Sequence, residues 1–482
     1  MGLLSNLPGD EKAVPVIEDT AVDVQDLPSY IRDFNEILKK YHLYSVHYAH
    51  AGSGEIHLRP IINLKTKEGN QLFRTIAEEI ATLVKKYQGS LSGEHGDGRL
   101  RGEFIPQMVG EKNYQLFRRI KQTWDPENIF NPGKIVDTPP MNSMLRYEPG
   151  QNTPPFPTIF RFHDQDILQH AEQCNGSGDC RKTHLSGGTM CPSFMATRNE
   201  KDTTRAGANI LREFLTHSDK PNRYDNKEIY EVMDLCLSCK GCKSECPSNV
   251  DLAKLKAEFL QHYYDANGVP LRSRLIAGFT ASARLGSIAP GIYNWMMKQS
   301  WVKKAVGFAA DRSMPLLHKT TLRGWYKKHK KQTSNKKVYL FCDEFTNYND
   351  TEIGIKAIVL LERLGYEVII PDHEESGRTW MSKGLIRHAK TIVNKNIRAL
   401  SPLISENTPL IGIEPSAILT FRDEYPDLAD DDLLEKAKAL AKIPGSSTTS
   451  SQTKPPEAPS QRTSSPEKHA PSNCTDTASK KP

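Results

Sequence analysis

The sequence lacks any run of about 18 apolar residues, the length that a helix needs to cross a bilayer. Its first residues, Met1-Gly-Leu-Leu-Ser5, lack the basic and apolar regions of a secretory signal peptide. We therefore expect a cytoplasmic protein, in which cysteines are more often metal or cluster ligands than disulfide partners. The 482 residues leave room for roughly three domains.

Acidic residues are scarce in one segment. From Lys298 to Lys337 there are twelve Lys or Arg and only Asp311 against them, with Trp301 and Trp325 interleaved. No nucleic-acid recognition module accompanies this charge, so we expect no nucleic-acid partner. Two interpretations stay open. The segment is either a solvated helical face, or a surface for an acidic partner or for an anionic membrane such as the inner face of the plasma membrane.

Seven of the nine cysteines fall between Cys174 and Cys246 in two groups. The second group is a complete CxxCxxCxxxCP run, Cys236, Cys239, Cys242 and Cys246-Pro247. Such a run gives three thiolates to one iron–sulfur cluster and its fourth to another. The first group is Cys174, Cys180 and Cys191-Pro192. With this crossover, one four-thiolate site contains Cys191, Cys236, Cys239 and Cys242.

The remaining cysteines, Cys174, Cys180 and Cys246, make a second site that is one thiolate short, because Ser177 stands at the middle position of the first group. This site would hold a three-iron cluster, or a four-iron cluster whose last iron takes Ser177, His184 or water. Structural zinc is the alternative for four cysteines, although zinc motifs usually pair two CxxC elements.

Two histidine motifs lie upstream of the cysteines. In His50-Ala-Gly-Ser-Gly-Glu-Ile-His57 the glycines disfavour a helix and let the chain turn, so both imidazoles can approach one point. A glycine-rich loop then presents Glu94 beside His95, and its glycines do not match the G-x-G-x-x-G dinucleotide fingerprint. Two histidines and one carboxylate are typical of a first-row metal site with open positions.

Apolar periodicity predicts mixed α/β structure before the cysteines and helices between them. We expect the following elements: strands at 14–17 and 43–48, helices at 27–41, 70–87, 113–124, 167–174 and 205–215, and then a strand, helix and strand at 338–341, 353–364 and 367–370. The last three have the βαβ rhythm of a small parallel sheet. Residues after about Gly445 lack apolar periodicity and are expected to form a disordered tail, in which Cys474 is no ligand.

Taken in order, these segments resemble bacterial flavin-linked oxidoreductases of the D-lactate and D-2-hydroxyglutarate dehydrogenase kind, fused to an iron–sulfur module. The resemblance runs from near Met1 to about Asp430. It rests on the following stretches: Val16-Ile-Glu-Asp-Thr20, His50 to His57, Gly93 to Gly96, Asn131-Pro-Gly-Lys134, Cys174 to Cys180, Met190-Cys-Pro-Ser-Phe194 and Thr203-Thr-Arg-Ala206.

The resemblance implies an α+β fold for a flavin-oxidase C-terminal domain at 1–136 and a proline-rich linker at 137–160. An α-helical ferredoxin-like domain with two iron–sulfur clusters follows at 161–265. Next come a basic amphipathic connector at 266–336, a small α/β cysteine-rich-like domain at 337–440 and the tail at 441–482. The α/β domain is degenerate: Glu375-Ser-Gly377 and Glu414-Pro-Ser-Ala417 replace paired cysteines, and only Cys342 remains. We expect it to dock and not to bind a cofactor.

The resemblance also implies the chemistry. The equivalents of His50, His57 and Glu94 hold a zinc or manganese ion that grips the D-2-hydroxyacid, and the equivalent of His95 removes its hydroxyl proton while hydride passes to FAD. Asn131 and Lys134 are expected to bind the flavin. For Arg99 and Lys134 two roles stay open, pairing with a second carboxylate of the substrate or with the flavin. Electrons would leave through the clusters to a quinone or redox protein.

In the family, a large N-terminal domain embraces the FAD pyrophosphate, and the resemblance does not include it. We expect either that a separate polypeptide supplies this domain or that the chain is a truncated product. The alternative function is a non-catalytic electron-transfer subunit of a multi-chain oxidoreductase.

Overall fold

The computed structural model describes residues 7–16, 18–151, 154–163, 165–443 and 445–446. Its first unit is an antiparallel sheet packed against helices. The sheet strands are β1 (Lys12–Ala13), β2 (Thr20–Ala21), β3 (Ser45–His50) and β4 (Glu55–Ile62), and the helices are α1 (Leu27–Lys40), α2 (Lys67–Lys86), α3 (Ile105–Val109) and α4 (Glu111–Trp124). Strand β4 pairs antiparallel with each of the other three strands, and one apolar core lies between the sheet, α1 and α2.

The strand expected at 14–17 is wrong. Val14 and Val16 are buried as the apolar pattern indicated, but they lie between β1 and β2. Pro15 has no N–H to pair, and the backbone at Asp19 turns to a φ of 80°, so the segment follows β4 only in two short pieces. Ile17 lies outside the described residues.

The second unit is helical, as predicted. Its helices are α5 (Ile167–Glu172), α6 (Pro192–Thr197), α7 (Thr204–His217), α8 (Lys227–Met233), α9 (Gly241–Glu245) and α10 (Leu252–Asn267). Helix α10 is buried on most sides, and the carboxylate of Glu258 within it accepts backbone N–H bonds from Ile159 and Phe160. Between α4 and α5 the described residues form no helix or strand, as expected for a linker.

A chain of short helices follows, and then a second sheet. The short helices are α11 (Leu271–Ala277), α12 (Phe279–Gly286), α13 (Pro290–Lys298), α14 (Ser300–Ala305) and α15 (Leu322–Lys328). The second sheet contains β5 (Lys337–Phe341), β6 (Glu367–Ile369), β7 (Leu410–Gly412) and β8 (Gly445–Ser446), in the order β6-β5-β7-β8 and all parallel. The predicted βαβ rhythm is confirmed.

Seven helices accompany the second sheet in the described part of the chain: α16 (Glu344–Tyr348), α17 (Thr351–Arg363), α18 (Arg378–Ser382), α19 (Ile386–Leu400), α20 (Pro415–Ile418), α21 (Glu424–Leu428) and α22 (Leu434–Lys442). Strand β8 lies within the range expected to be a disordered tail, so that expectation is wrong at Gly445–Ser446, where backbone pairing with β7 continues the sheet. The rest of that tail, from 447 onward and with Cys474, lies outside the described residues.

The helical unit and the second sheet share one apolar core. Leu260 of α10 and Phe341 of β5 belong to the same buried cluster. In the described ranges, no helix combines the length and the apolar character that crossing a bilayer requires.

Candidate metal and iron–sulfur sites

The β3–β4 hairpin brings the first two histidines together. His50 ends β3, and the turn closes at Gly54, whose φ is 73° and where a Cβ would lie 1.9 Å from the carbonyl oxygen of Val22. Only glycine fits there. In the antiparallel register His50 faces Glu55 and Tyr48 faces His57. The two imidazoles therefore meet, with ring centroids 5.3 Å apart, as the glycine pattern predicted.

A buried carboxylate, Asp19, holds the loop that carries the other two residues. Its Oδ1 accepts the Glu94 N–H at 2.9 Å, and its Oδ2 accepts the His95 N–H at 2.9 Å and the Ser92 hydroxyl at 2.5 Å. Arg101 Nη2 donates to the same Oδ2 at 3.1 Å. Both backbone amides are fixed by one side chain, so the directions of the Glu94 and His95 side chains are set together.

The ligand atoms of His50, His57 and Glu94 all lie within 4.8 Å of one another. Each histidine Nε2 is 3.8 Å from Glu94 Oε1. Nitrogen and oxygen ligands that bind one zinc at about 2.1 Å are spaced roughly 3 to 4 Å apart, so the set fits a divalent ion. The fourth residue, His95, has its Nε2 3.1 Å from Glu94 Oε1. The four predicted residues therefore form one group.

Three carboxylates missed by the sequence reasoning surround His57. Glu55 Oε1 lies 3.5 Å from His57 Nε2, and Glu18 Oε1 lies 3.9 Å from His57 Nδ1. Asp19 forms a further group with Glu55 and His57. A hydrogen bond with Asp19, together with burial, raises the pKa of Glu55. The sequence signal was slight: Glu55 lies inside the histidine motif, but Glu18 and Asp19 are distant in the chain.

One buried carboxylate oxygen without a partner lies beside this set. Glu55 Oε1 is 3.5 Å from His57 Nε2 and has no hydrogen-bond partner among the described residues, whereas buried polar atoms are nearly always paired. A cation bound by His57 Nε2 would satisfy this oxygen. Glu18 is already engaged, since Arg59 Nη2 and the Tyr48 hydroxyl donate to its Oε1 at 2.5 and 2.9 Å. The exposed side chains of His50 and Glu94 leave their set open to a substrate.

The loop with Asn131 and Lys134 runs beside the His95 loop. Ile135 N–H donates to the carbonyl of Gly98 at 2.9 Å, which joins the two loops. Both side chains are exposed, and Lys134 Nζ donates to Asn131 Oδ1 at 3.3 Å. Their proposed contact with flavin remains a prediction.

Four cysteines from the two groups line one small cavity: Cys191, Cys236, Cys239 and Cys242. This is the four-thiolate set that the crossover predicts. Burial raises the pKa of Cys242 to about 12, and the nearby Asp251, Cys236 and Cys239 add to the effect. A buried thiol gives up its proton only when a cation replaces it, as iron does.

The three remaining cysteines are Cys174, Cys180 and Cys246. Burial raises the pKa of Cys180, and neighbouring Cys191 and Cys174 raise it further. Cys246 follows α9 and is half-buried, with its N–H donating to the carbonyl of Cys242.

The comparisons with known proteins match these two regions. Residues 1–135 match the family model of FAD linked oxidases, C-terminal domain, and residues 173–251 match that of the 4Fe-4S dicluster domain. The chain joins an FAD-oxidase C-terminal domain to a 4Fe-4S dicluster domain. The resemblance inferred from the motifs is therefore confirmed for these two domains.

Similar proteins include dehydrogenases of D-2-hydroxyacids. The D-2-hydroxyglutarate dehydrogenases of Pantoea ananatis and Pseudomonas putida are 28% and 29% identical, each over 88% of this chain and 46% of the relative. A D-lactate dehydrogenase of Archaeoglobus fulgidus is 32% identical over 27% of this chain and 28% of its own length. The chain thus spans a little less than half the length of the first two relatives.

The dicluster domain encloses all seven clustered cysteines. This match to an iron–sulfur family supports clusters and not structural zinc at these cysteines. At the short site, Ser177 N–H donates to Asn175 Oδ1 and His184 Nδ1 lies 2.8 Å from Arg198 Nη2. The fourth ligand there stays a prediction.

The α/β unit lies against the dicluster domain beside the four-thiolate site. Lys240 and Lys243, which flank Cys242, both form ion pairs with Asp423. Arg378 donates to the carbonyl of Ser238 at 3.1 Å and to Glu424 at 2.9 Å. The docking role expected for this unit stays a prediction.

Proposed function

We propose that this chain takes part in the FAD-dependent oxidation of a D-2-hydroxyacid to the 2-oxoacid and passes the electrons through two iron–sulfur clusters to an acceptor. The observation that carries the proposal is the convergence of His50, His57 and Glu94 within 4.8 Å, with His95 at 3.1 Å from Glu94. This group lies on the FAD-oxidase domain, directly upstream of a dicluster domain in the same chain.

His95 is the proposed base, because its Nε2 faces the ligand set and imidazole is the most common general base in enzymes. Asp19 fixes the backbone of this residue and so orients the ring. A zinc or manganese ion held by His50, His57 and Glu94 would grip the substrate's carboxylate and hydroxyl and lower the hydroxyl pKa. FAD, when bound, supplies the hydride acceptor.

D-2-hydroxyglutarate is favoured over D-lactate as the substrate. The similar D-2-hydroxyglutarate dehydrogenases match 88% of this chain, whereas the similar D-lactate dehydrogenase matches 27%. The longer substrate has a second carboxylate that needs a cation. Lys134 is available for this role, whereas Arg99 Nη2 is engaged with the carbonyl of Ser143 at 2.7 Å.

The proposed partner is a polypeptide that carries the flavin, and its proposed binding site is helix α4. Helix α4 has no buried residue, and together with the loop after it exposes a group of large apolar side chains: Leu116, Phe117, Ile120, Trp124, Ile129, Phe130 and Ile135. Apolar faces of this size mark interaction sites. The face adjoins Asn131 and Lys134, so its partner would bring flavin near them.

Cysteine ligands need a reducing compartment, and we assign the reaction to the cytoplasm.

The test is turnover of the chain co-purified with a flavin-bearing polypeptide, measured with D-2-hydroxyglutarate, D-lactate and a dye acceptor. We expect oxidation of the D-enantiomers, and a loss of at least about a hundredfold in His95→Ala at unchanged FAD and iron content. Unchanged turnover in this variant would refute the assignment. It would favour the electron-transfer subunit, a class of protein that has no need for the four converging residues.

A further inference from the structure

Helices α12 to α14 carry the exposed apolar side chains that the proposed function does not use. Six residues with exposures of 43% to 81% define what we name the apolar-basic face: Leu285, Ile288, Ile292, Trp295, Met296 and Trp301. On α13, Ile292, Trp295 and Met296 follow helical steps of three and four and so share one side. Leu285 lies on α12 and Ile288 in the turn between the two helices. Helix α12 packs on α13, and α13 packs on α14, so the face is continuous.

The opposite side of α13 is fastened to the protein. Tyr293 packs with Ala283 and Leu317, and the Asn294 side chain exchanges two hydrogen bonds of 2.8 Å with the backbone of Leu317. The outward direction of Ile292 and Trp295 is therefore fixed by contacts on the inner side. Exposing two tryptophans and four aliphatic side chains on a rigid surface indicates a partner.

The segment of chain that carries this face has charge of one sign. Residues 266–310 contain six Lys or Arg and no Asp or Glu. Arg284, Lys298 and Lys304 are exposed, and in the described part of the chain none of them forms an ion pair. The apolar face of α4 differs, because two of the four basic residues on that helix form ion pairs: Arg118 pairs with Asp137, and Lys121 pairs with Asp125.

We propose that the apolar-basic face docks on an anionic lipid surface. Tryptophans with flanking lysines and arginines are typical of segments that lie in the bilayer interface, with apolar side chains among the acyl chains and cations at the headgroups. Helices α12 to α14 have six to nine residues each, so they lie on the bilayer and do not cross it. The proposal goes beyond the proposed function and does not depend on the substrate.

The test is co-sedimentation of the full chain with lipid vesicles. We expect binding to phosphatidylglycerol vesicles, weaker binding to pure phosphatidylcholine vesicles, and release by high salt. Brominated acyl chains should quench tryptophan emission. The variant Ile292→Ser/Trp295→Ser/Trp301→Ser should lower the partition coefficient at least about tenfold. The matched control Ile120→Ser/Trp124→Ser, on the exposed face of α4, should not lower it.

A second variant keeps the face and removes its charge. Arg284→Gln/Lys298→Gln/Lys304→Gln should weaken binding to the anionic vesicles by about a hundredfold. Absence of binding by the wild-type chain, or equal loss in the α4 control, would overturn the proposal. So would a wild-type dimer that the serine variant cannot form, without vesicle binding, since a second copy would then cover the face.

Discussion

At the scale of residues, Asp19 organises the candidate active site without belonging to the expected ligand set. Burial alone would raise the pKa of this carboxyl, but hydrogen bonds from its neighbours, among them the amides of Glu94 and His95, hold the pKa well below its ordinary value. The carboxylate is therefore charged, and it accepts the loop's N–H groups with both oxygens.

Asp19→Asn should weaken divalent metal binding by roughly ten- to a hundredfold, because the amide offers one acceptor oxygen where two are used. The measurement is competition with a chromogenic chelator. Asp23→Asn is the matched control, since Asp23 is exposed and caps only the Gln25 N–H. Equal affinities in wild type and Asp19→Asn would show that the loop holds its shape without this carboxylate.

The sequence predicted His50, His57, Glu94 and His95 because each pair is local and the glycines between them fix the turn. Asp19 and Glu18 escaped prediction because their partners lie far along the chain. Asp19 binds a loop more than seventy residues away, as its hydrogen bond to Glu94 shows. Such a pairing depends on how β2 and the loop lie against β4, which periodicity does not encode.

At the scale of elements, the cysteine loops are arranged around the N-termini of short helices. Cys191 has a φ of 60° directly before Pro192 begins α6, and its thiol donates to the carbonyl of Asp202 at 3.1 Å. The Cys-Pro pair thus turns a first-group cysteine into the cavity lined by the second group. The crossover was predictable from spacing, but the αL turn that achieves it was not.

Cys191→Ser should lower the bound iron from two clusters to one, because it removes a ligand of the four-thiolate site. Iron and acid-labile sulfide analysis of the anaerobic protein measures this. Cys342→Ser is the control: Cys342 is also buried, but it lies in the α/β unit at the end of β5. Undiminished iron in Cys191→Ser would contradict the crossover.

Glu344 makes the α/β unit sensitive to pH. Burial raises the pKa of Glu344 from about 4.5 to about 7, although Ser376 donates to both of its oxygens. The folded state therefore holds the proton that the unfolded state loses, and stability falls as pH rises from about 4.5 to about 7. Glu344→Gln should remove up to about 3 kcal/mol of this dependence in thermal unfolding at pH 5 and 8. An identical pH dependence in both proteins would exclude Glu344 as its source.

At the scale of the whole molecule, a buried ion pair joins the FAD-oxidase domain to helix α5 of the helical unit. Lys65 Nζ lies 2.8 Å from Glu172 Oε2 on α5 and 2.7 Å from Asp10. Burial lowers the pKa of this lysine, but its hydrogen bonds to the two carboxylates outweigh that effect and leave the pKa raised. Domain order was predictable from motifs, whereas this contact, which joins residues in separate domains, was not.

Lys65→Met should lower the free energy of unfolding by about 3–5 kcal/mol, since it leaves Glu172 buried without its cation. Calorimetry should also show the two domains unfolding less cooperatively. Lys438→Met is the control, because Lys438 pairs with Glu435 on the exposed surface of α22 and should cost under about 1 kcal/mol. A cost as small as the control's would mean that the domains do not depend on this pair.

In the proposed function, the histidine–glutamate set and the clusters are the two ends of one electron path. Electron paramagnetic resonance of the anaerobic, flavin-loaded complex tests it most directly. On addition of D-2-hydroxyglutarate, reduced-cluster signals should appear in the wild type and be absent in His95→Gln of equal iron, flavin and metal content. Equal signals in both proteins, or a chain that holds zinc and no iron, would contradict the account.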